Sequence, residues 1–432
     1  MPDDLTLNDG PDCYDDGPIL LPRQPYIPAD NAEITNFLGK NKIEEIPVVA
    51  KPYYDEFLAW LTGNYIQEEK WEVIRIINQQ TNPEPPYRNM SIGPSKETKI
   101  LANGCLFLQR DGTRLVVQIW LWRRAMLIIS HDAVNKDAAE KFAADIERLI
   151  EERNPYRKSK IHFNLSISFL EVKKKTWDDL ILEEALKNEI RVNTVEFLKN
   201  SKLLSKYGIP AKRGLIISGL PGTGKTLINR IIMSTSPNIT CIEAESAQLG
   251  TPEYIESLYD LAENLKPTII FLEDIDIAGK DRFAESNGRD AGLLALLSAL
   301  DGIEDTDGIV TVATTNCLQI LDKALKERPS RFDLIIDLYL PEKEERRHLL
   351  KNLGKKIPID AATLEYVAEK TCGFTPAQLQ EVLYSLVIRK QSKHGSKKLE
   401  LPLRFQAEEI NSAIVRVARG KSKDIGFRMS RN

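Results

Sequence analysis

The sequence predicts an α/β domain built on a parallel sheet, followed by an all-helical region and preceded by a small α+β domain. Three observations carry that prediction. Between about 176 and 340, short continuous apolar runs alternate with helix-period runs, the pattern of strands covered on both faces. A glycine-rich octet, GLPGTGKT at 219–226, follows one of those strands and opens a helix. After Pro341 the strand-like runs stop, while helical periodicity continues to about 419.

Composition bounds the function classes. Lysine and arginine number 59 against 63 aspartates and glutamates, a net charge of −4, so no whole-chain field draws in nucleic acid or anionic lipid. The five cysteines (Cys13, Cys105, Cys241, Cys317, Cys372) have no paired spacing, and the four histidines are isolated. That argues against a zinc site or a disulfide framework and for a reducing, cytoplasmic setting. The acidic, proline-broken start reads as no secretory signal. The most apolar stretch, RLVVQIWLWRRAMLIIS, is cut by Arg123 and Arg124 and is too short between charges to span a bilayer, so no membrane segment is expected.

Residues 1–48 mix Asp, Pro, Gly and Asn with little periodicity and are expected to form an acidic, disordered tail. The α+β domain is assigned to 50–172. In it YYDEFLAWLTGNYI has helical spacing, and GCLFLQRDGTRLVVQIWLW gives two strands around an Asp111-Gly112 turn. AMLIIS is a further strand, DAAEKFAADIERLIEE a helix and IHFNLSISFLEV an alternating strand. Phe107, Trp120 and Trp122 fall at strand spacing, which places them in the core. From 176 to 340 the strands GLIIS, NITCIEA, TIIFLED, GIVTVATTN and LIIDLYL are separated by helices from Lys225, over 252–264 and around 291–300. The helical region at 341–419 holds four periodic runs, and a basic tail with Lys421, Lys423, Arg428 and Arg431 fills 420–432.

The octet fits G-x-x-x-x-G-K-[ST], the phosphate loop of a P-loop NTPase. Gly219, Gly222 and Gly224 let the backbone turn its N–H groups inward on phosphate oxygens, and the helix start adds a favourable dipole. Lys225 would reach the β and γ phosphates, and the Thr226 hydroxyl would hold Mg²⁺. The same chemistry needs a carboxylate-bearing strand beside the loop. TIIFLEDID supplies Glu273 and Asp274, with Asp276 as a bystander, and the span from Lys225 has room for the helix, strand and helix that return to a neighbouring parallel strand.

At this point the residues resemble those of an AAA-type ATPase, from about 177 to 416, over half the chain. TWDDLILEEALKNEI resembles the segment that enters the module and passes the adenine, which implies a nucleotide contact at Asp179. YGIPAKRGLIISGLPGTGKT resembles the run into the phosphate loop, LLSALDGIEDTDGIVTVATTN the following helix and fourth strand, and LDKALKERPSRFDLIIDLYLPEKEERRHLL the second region of homology. The resemblance implies ATP and Mg²⁺ as cofactors. It implies nucleotide contacts at Gly219, Pro221, Gly222, Thr223, Gly224, Lys225, Thr226 and Leu227, and metal ligation by Thr226 and Glu273. Asn316 matches the polar sensor of the γ-phosphate or attacking water. Arg328 and Arg331 match arginine fingers that reach a neighbouring subunit's nucleotide, so a homo-oligomeric ring, a hexamer, is expected.

Three departures from the family pattern carry weight. The strand-end acids run Glu then Asp, the reverse of the usual order. By position Glu273 takes the magnesium side and Asp274 activates water, the swapped assignment staying open. The aromatic loop that grips unfolded chains in threading members is shortened to LGTPEYIES, where Tyr254 is expected to pack on its helix. The lid reads GFTPAQLQ. The inverted acids and this lid resemble the branch containing the mitochondrial inner-membrane chaperone that assembles respiratory complex III, although this chain lacks that protein's membrane helix. The function implied is an ATP-hydrolysing ring that remodels, disassembles or delivers an unknown protein client recognised through 50–172. Two alternatives are a nucleic-acid-stimulated motor or loader, disfavoured by near-neutral charge, and a slow ATP-dependent regulatory switch.

Overall fold

The structure, a computed structural model, describes residues 31–39, 42–77, 87–122, 124–277, 307–316, 332–395 and 399–419. It divides into two compact units, one of Met1–Met90 with Thr98–Arg153 and one of Ser91–Glu97 with Asn154–Asn432.

The chain runs α1 (Asn31–Leu38), β1 (Glu44–Val49), α2 (Asp55–Glu68), β2 (Glu72–Ile77), β3 (Tyr87–Gly93), β4 (Lys96–Leu101), β5 (Asn103–Arg110), β6 (Thr113–Trp122), β7 (Arg124–His131) and α3 (Lys136–Glu152), and all of these but the Ser91–Glu97 stretch of β3 and β4 belong to the first unit. Its sheet has the order β1-β7-β6-β5-β2, antiparallel throughout. The expected turn closes β5 on β6, with Arg110 opposite Thr113 and positive φ at Asp111 (48°) and Gly112 (82°). Two left-handed residues match the twist of the flanking strands, which is why Asp-Gly is used there. Cys105, Phe107 and Val116 cluster with Ile34 and Leu38 of α1, and Leu106 and Leu108, alternating with them, are buried too. On α2 and α3, Tyr65 and Phe142 meet edge to face at 4.8 Å. Phe107 is core as expected, Trp120 is half-buried, and the Trp122 side chain lies outside the described residues.

Two expected boundaries are corrected here. The tail assigned to 1–48 contains α1, which buries Ile34 and Leu38, and β1, whose Glu44 pairs with His131. Their apolar residues are too few, among Asn, Glu and Pro, to raise a periodic signal. The strand IHFNLSISFLEV, assigned to the first domain, joins the sheet of the second unit, so the division falls at Arg153 and Asn154 rather than at 172. Alternation marks a segment as a strand without saying which sheet receives it.

The second unit runs β8 (Lys160–Phe163), β9 (Ile167–Phe169), α4 (Glu184–Arg191), α5 (Phe197–Lys206), β10 (Lys212–Gly219), α6 (Lys225–Thr235), β11 (Thr240–Ala244), α7 (Pro252–Asn264), β12 (Thr268–Leu272), β13 (Ile309–Thr315) and β14 (Leu334–Leu338). The sheet order is β14-β10-β13-β12-β11-β8-β9, parallel except for β9 against β8. Leu215, Ile217, Phe271, Val310 and Val312 of the sheet pack with Ile228, Ile231 and Ile232 of α6. Burial of such strands on both faces explains their continuous apolar sequences.

The helical region follows as α8 (Lys343–Gly354), α9 (Ala361–Lys370), α10 (Pro376–His394) and α11 (Ala407–Arg419), around a separate core of Leu350, Val367, Leu379, Leu383 and Ile410. The fold is therefore the expected α/β parallel sheet with a helical C-terminal region. The helix expected around 291–300 lies outside the described residues. No described helix is long and apolar enough to cross a membrane.

Candidate active site

The sheet order decides where a ligand can lie. After β10 the chain crosses over β13 and β12 to reach β11, while β14 takes the other side of β10. Such a reversal opens a crevice beyond the carboxyl ends of the strands. In register, Ser218 of β10 lies beside Thr315 of β13 and Asp337 of β14, and Leu272 of β12 beside Ala313. Gly219 at the end of β10, and Asn316 and Glu273 just after β13 and β12, therefore emerge at one rim.

The loop after β10 bends through Gly219 (φ 155°), Gly222 (φ 83°) and Gly224 (φ 112°), and Gly224 caps the start of α6. Space as well as φ demands glycine. A Cβ on Gly219 would come within 2.9 Å of the Leu338 carbonyl, and one on Gly222 within 2.9 Å of Ala377 Cβ on α10. The Ala377 N–H donates to the Gly222 carbonyl at 3.2 Å, which ties the helical lid to the loop. Thr223 is buried and donates to the Leu220 carbonyl at 2.8 Å, whereas Pro221 and Thr226 are exposed. Leu227 packs against the core beneath the loop.

Lys225 is only 6% exposed. Its ammonium donates to the Gly219 carbonyl at 2.7 Å, to Asn316 Oδ1 at 2.8 Å and to the Leu220 carbonyl at 3.2 Å. Burial lowers its pKa, and the charges of Asp274, Asp276 and Glu273 oppose that shift. All three acceptors are neutral, so a buried cation faces the loop with no carboxylate directly bonded to it among the described residues. Asn316 in turn donates its amide to Asp274 Oδ1 at 2.9 Å.

The two adjacent acids diverge. Glu273 turns toward α6, where its Oε2 accepts from Thr226 at 3.3 Å and its Oε1 from Asn229 at 2.9 Å. Asp274 turns toward β13, with its N–H on Thr314 Oγ1 at 3.0 Å and a left-handed φ of 49°. Aspartate tolerates that conformation better than most residues. Asp276, expected to be a bystander, is bonded into the site: its Oδ1 accepts from the Asn316 N–H at 3.0 Å and the Thr315 hydroxyl at 3.1 Å. Sequence reasoning missed Asp276 and Asn229, although the placement of Asn229 one helical turn beyond Lys225 was a usable signal.

Asp179 accepts the Thr176 N–H at 3.0 Å, which holds its carboxyl below the usual range and caps its own turn. The next residue, Leu180, comes within 3.6 Å of where a Cβ on Gly224 would stand, so this segment does pass the loop. Arg328 and Arg331 lie outside the described residues. Tyr254 is 1% exposed, stacks on Phe163 at 5.4 Å and donates to the Phe163 carbonyl at 2.7 Å, packing as expected rather than facing outward.

The residues fit a magnesium-bound triphosphate. Three glycines at positive φ, two of them too crowded for a Cβ, form the cradle, a buried ammonium points into it, and Thr226 with Glu273 offers the hard oxygen donors that Mg²⁺ takes.

Part of the chain is similar to known proteins. Residues 215–340 match the family described as ATPase family associated with various cellular activities (AAA). The ATP-dependent zinc metalloprotease FtsH 2 of Salinibacter ruber is 32% identical over 259 residues, 58% of this chain and 37% of the relative. A 26S proteasome regulatory subunit homolog of Methanocaldococcus jannaschii is 33% identical over 218 residues, 48% of this chain and 57% of the relative. A crystal structure of the FIGL-1 AAA domain in complex with ADP aligns at 23% identity and a TM-score of 0.45, covering 59% of this chain and 88% of that one. The chain thus spans little more than a third of the length of the FtsH relative.

Proposed function

From the match of residues 215–340 to the AAA ATPase family, we propose that the protein binds ATP with Mg²⁺, hydrolyses it and uses the cycle to remodel a protein partner. One observation carries the reading: a hydrogen-bonded line from Lys225 through Asn316 to Asp274, beside a separate line from Thr226 to Glu273. In this reading the first line supplies the base and the second the metal-side carboxylate.

In this reading Lys225 exchanges its neutral acceptors for phosphate oxygens, and the loop N–H groups hold the same anion. Mg²⁺, when bound, neutralises the charge of the β and γ phosphates. Asp274 receives the proton of the attacking water, and Asn316 orients that water while holding Asp274 in line. Asp is one methylene shorter than Glu, and the left-handed turn at Asp274 accounts for how the shorter side chain meets Asn316. Arg328 and Arg331 complete the pocket of a neighbouring copy in a ring, a hexamer. The first unit recognises the client, in a reducing, cytoplasmic compartment. The buried Tyr254 favours moving a folded client over threading, the mode of the branch with the complex III assembly chaperone.

The test is Asp274→Asn. The variant should bind ATP as the parent does and lose about 10²- to 10⁴-fold in turnover, the usual contribution of a general base. Parent-like turnover in Asp274→Asn, together with a dead Glu273→Gln protein, would reverse the two roles.

A further inference from the structure

Asn229 is fully buried in α6, yet only half of its amide is used. Nδ2 donates to Glu273 Oε1 at 2.9 Å, while Oδ1 has no hydrogen-bond partner among the described residues. The amide can take only this orientation, because the reverse would set its carbonyl against a carboxylate. A buried acceptor without a partner lowers stability, and an apolar side chain in its place would not. Asn229 is therefore a poor choice for packing the helix against Ile228, Ile231 and Ile232, its apolar neighbours in sequence. Its one bond goes to the acid that also meets Thr226.

We propose that Asn229 is a positioning residue for the metal, fixing the glutamate at 273 so that its second oxygen stays beside Thr226. The inference rests on the reading of Glu273 as the metal-side carboxylate. Glutamate carries one more rotatable bond than aspartate, so at this position its head group needs a second tether. Thr226 and Asn229, three residues apart on one face of α6, hold the two oxygens separately. Loss of Asn229 frees Glu273 to rotate, and metal ligation weakens while the phosphate loop remains intact.

The experiment is calorimetric titration of the full chain with a non-hydrolysable ATP analogue, in Mg²⁺ and in EDTA, alongside thermal unfolding without nucleotide. In Asn229→Leu, and in Asn229→Ala should the larger side chain prevent folding, the tightening of the analogue by Mg²⁺ should fall about tenfold or more, the usual effect of removing a residue that orients a metal ligand. Affinity in EDTA should not change, and the unfolding midpoint should be equal or higher. Adding Glu273→Asp to Asn229→Ala, which removes the extra rotatable bond, should recover much of the tightening. Parent-like tightening in Asn229→Leu overturns the proposal. So does equal weakening in Mg²⁺ and EDTA with a lower midpoint, the mark of a packing role. Glu273→Ala separates the two levels. If it abolishes the tightening while Asn229→Leu does not, the tether alone fails; if it has no effect either, the metal-side reading of Glu273 fails and the tether with it.

Discussion

Asp276 accepts hydrogen bonds from the backbone of Asn316 and from Thr315, so it fixes the residue that links Lys225 to Asp274. Asp276→Ala should lower turnover roughly 10- to 100-fold, the worth of hydrogen bonds to a charged group, with ATP affinity nearly unchanged. Steady-state kinetics beside a binding titration checks this; a matching loss in both would mean that the loop itself had collapsed. The sequence showed three clustered carboxylates and a rationale for two. It could not show their directions, because the apolar run of β12 ends at Leu272 and the residues beyond follow turn geometry. The reversal at Asp274 depends on its positive φ, which no periodicity reports. Nor did the sequence show that the Asp179 carboxylate closes a local cap with Thr176.

At the scale of elements, the loop and the lid meet at Gly222. Gly222→Ala imposes both a left-handed φ on a residue with a Cβ and a 2.9 Å contact with Ala377. We expect a loss of about 1–3 kcal/mol in stability and weaker ATP binding, measured by unfolding and titration. Helix α7 is tied to the sheet by the Tyr259 hydroxyl, 2.6 Å from Thr311 Oγ1. Burial pushes the Tyr259 phenol up to about 12 from an ordinary 10.0, against the opposing effect of the Thr311 bond. The folded state thus holds this proton more tightly than the unfolded one. The resulting stability is present below pH 10 and is lost as pH rises toward 12. Tyr259→Phe should flatten the alkaline limb of stability over that window and cost about 1 kcal/mol at neutral pH, through the unpaired Thr311. A parent-like alkaline limb in the variant would show that Tyr259 does not titrate there. These elements were legible as strand and helix because apolar periodicity is strong in buried parallel strands. Their pairwise ties were not, since a buried Tyr–Thr bond has no local sequence mark.

For the whole molecule, the sequence located the α/β sheet and the helical region but misplaced the division before them. Pattern alone could not tell that Ile161 pairs with Ile242 across 80 intervening residues of chain order, or that Lys160 bonds the Ser236 and Ile239 carbonyls at 2.6 Å. This has a direct consequence. A fragment of 154–432 should fold as a monodisperse protein, whereas one starting at 176 leaves β11, with its buried Cys241 and Ile242, as an unpaired edge and should aggregate or melt markedly lower. Size-exclusion chromatography with thermal unfolding decides between them; equal behaviour would mean that β8 adds nothing to the sheet. The central claim concerns the rim where β10, β12 and β13 end. It is tested most directly by steady-state ATP turnover of the full chain against Lys225→Ala in the presence of Mg²⁺. The parent should turn over ATP and the variant should fall to background. Equal turnover in the two would contradict the account.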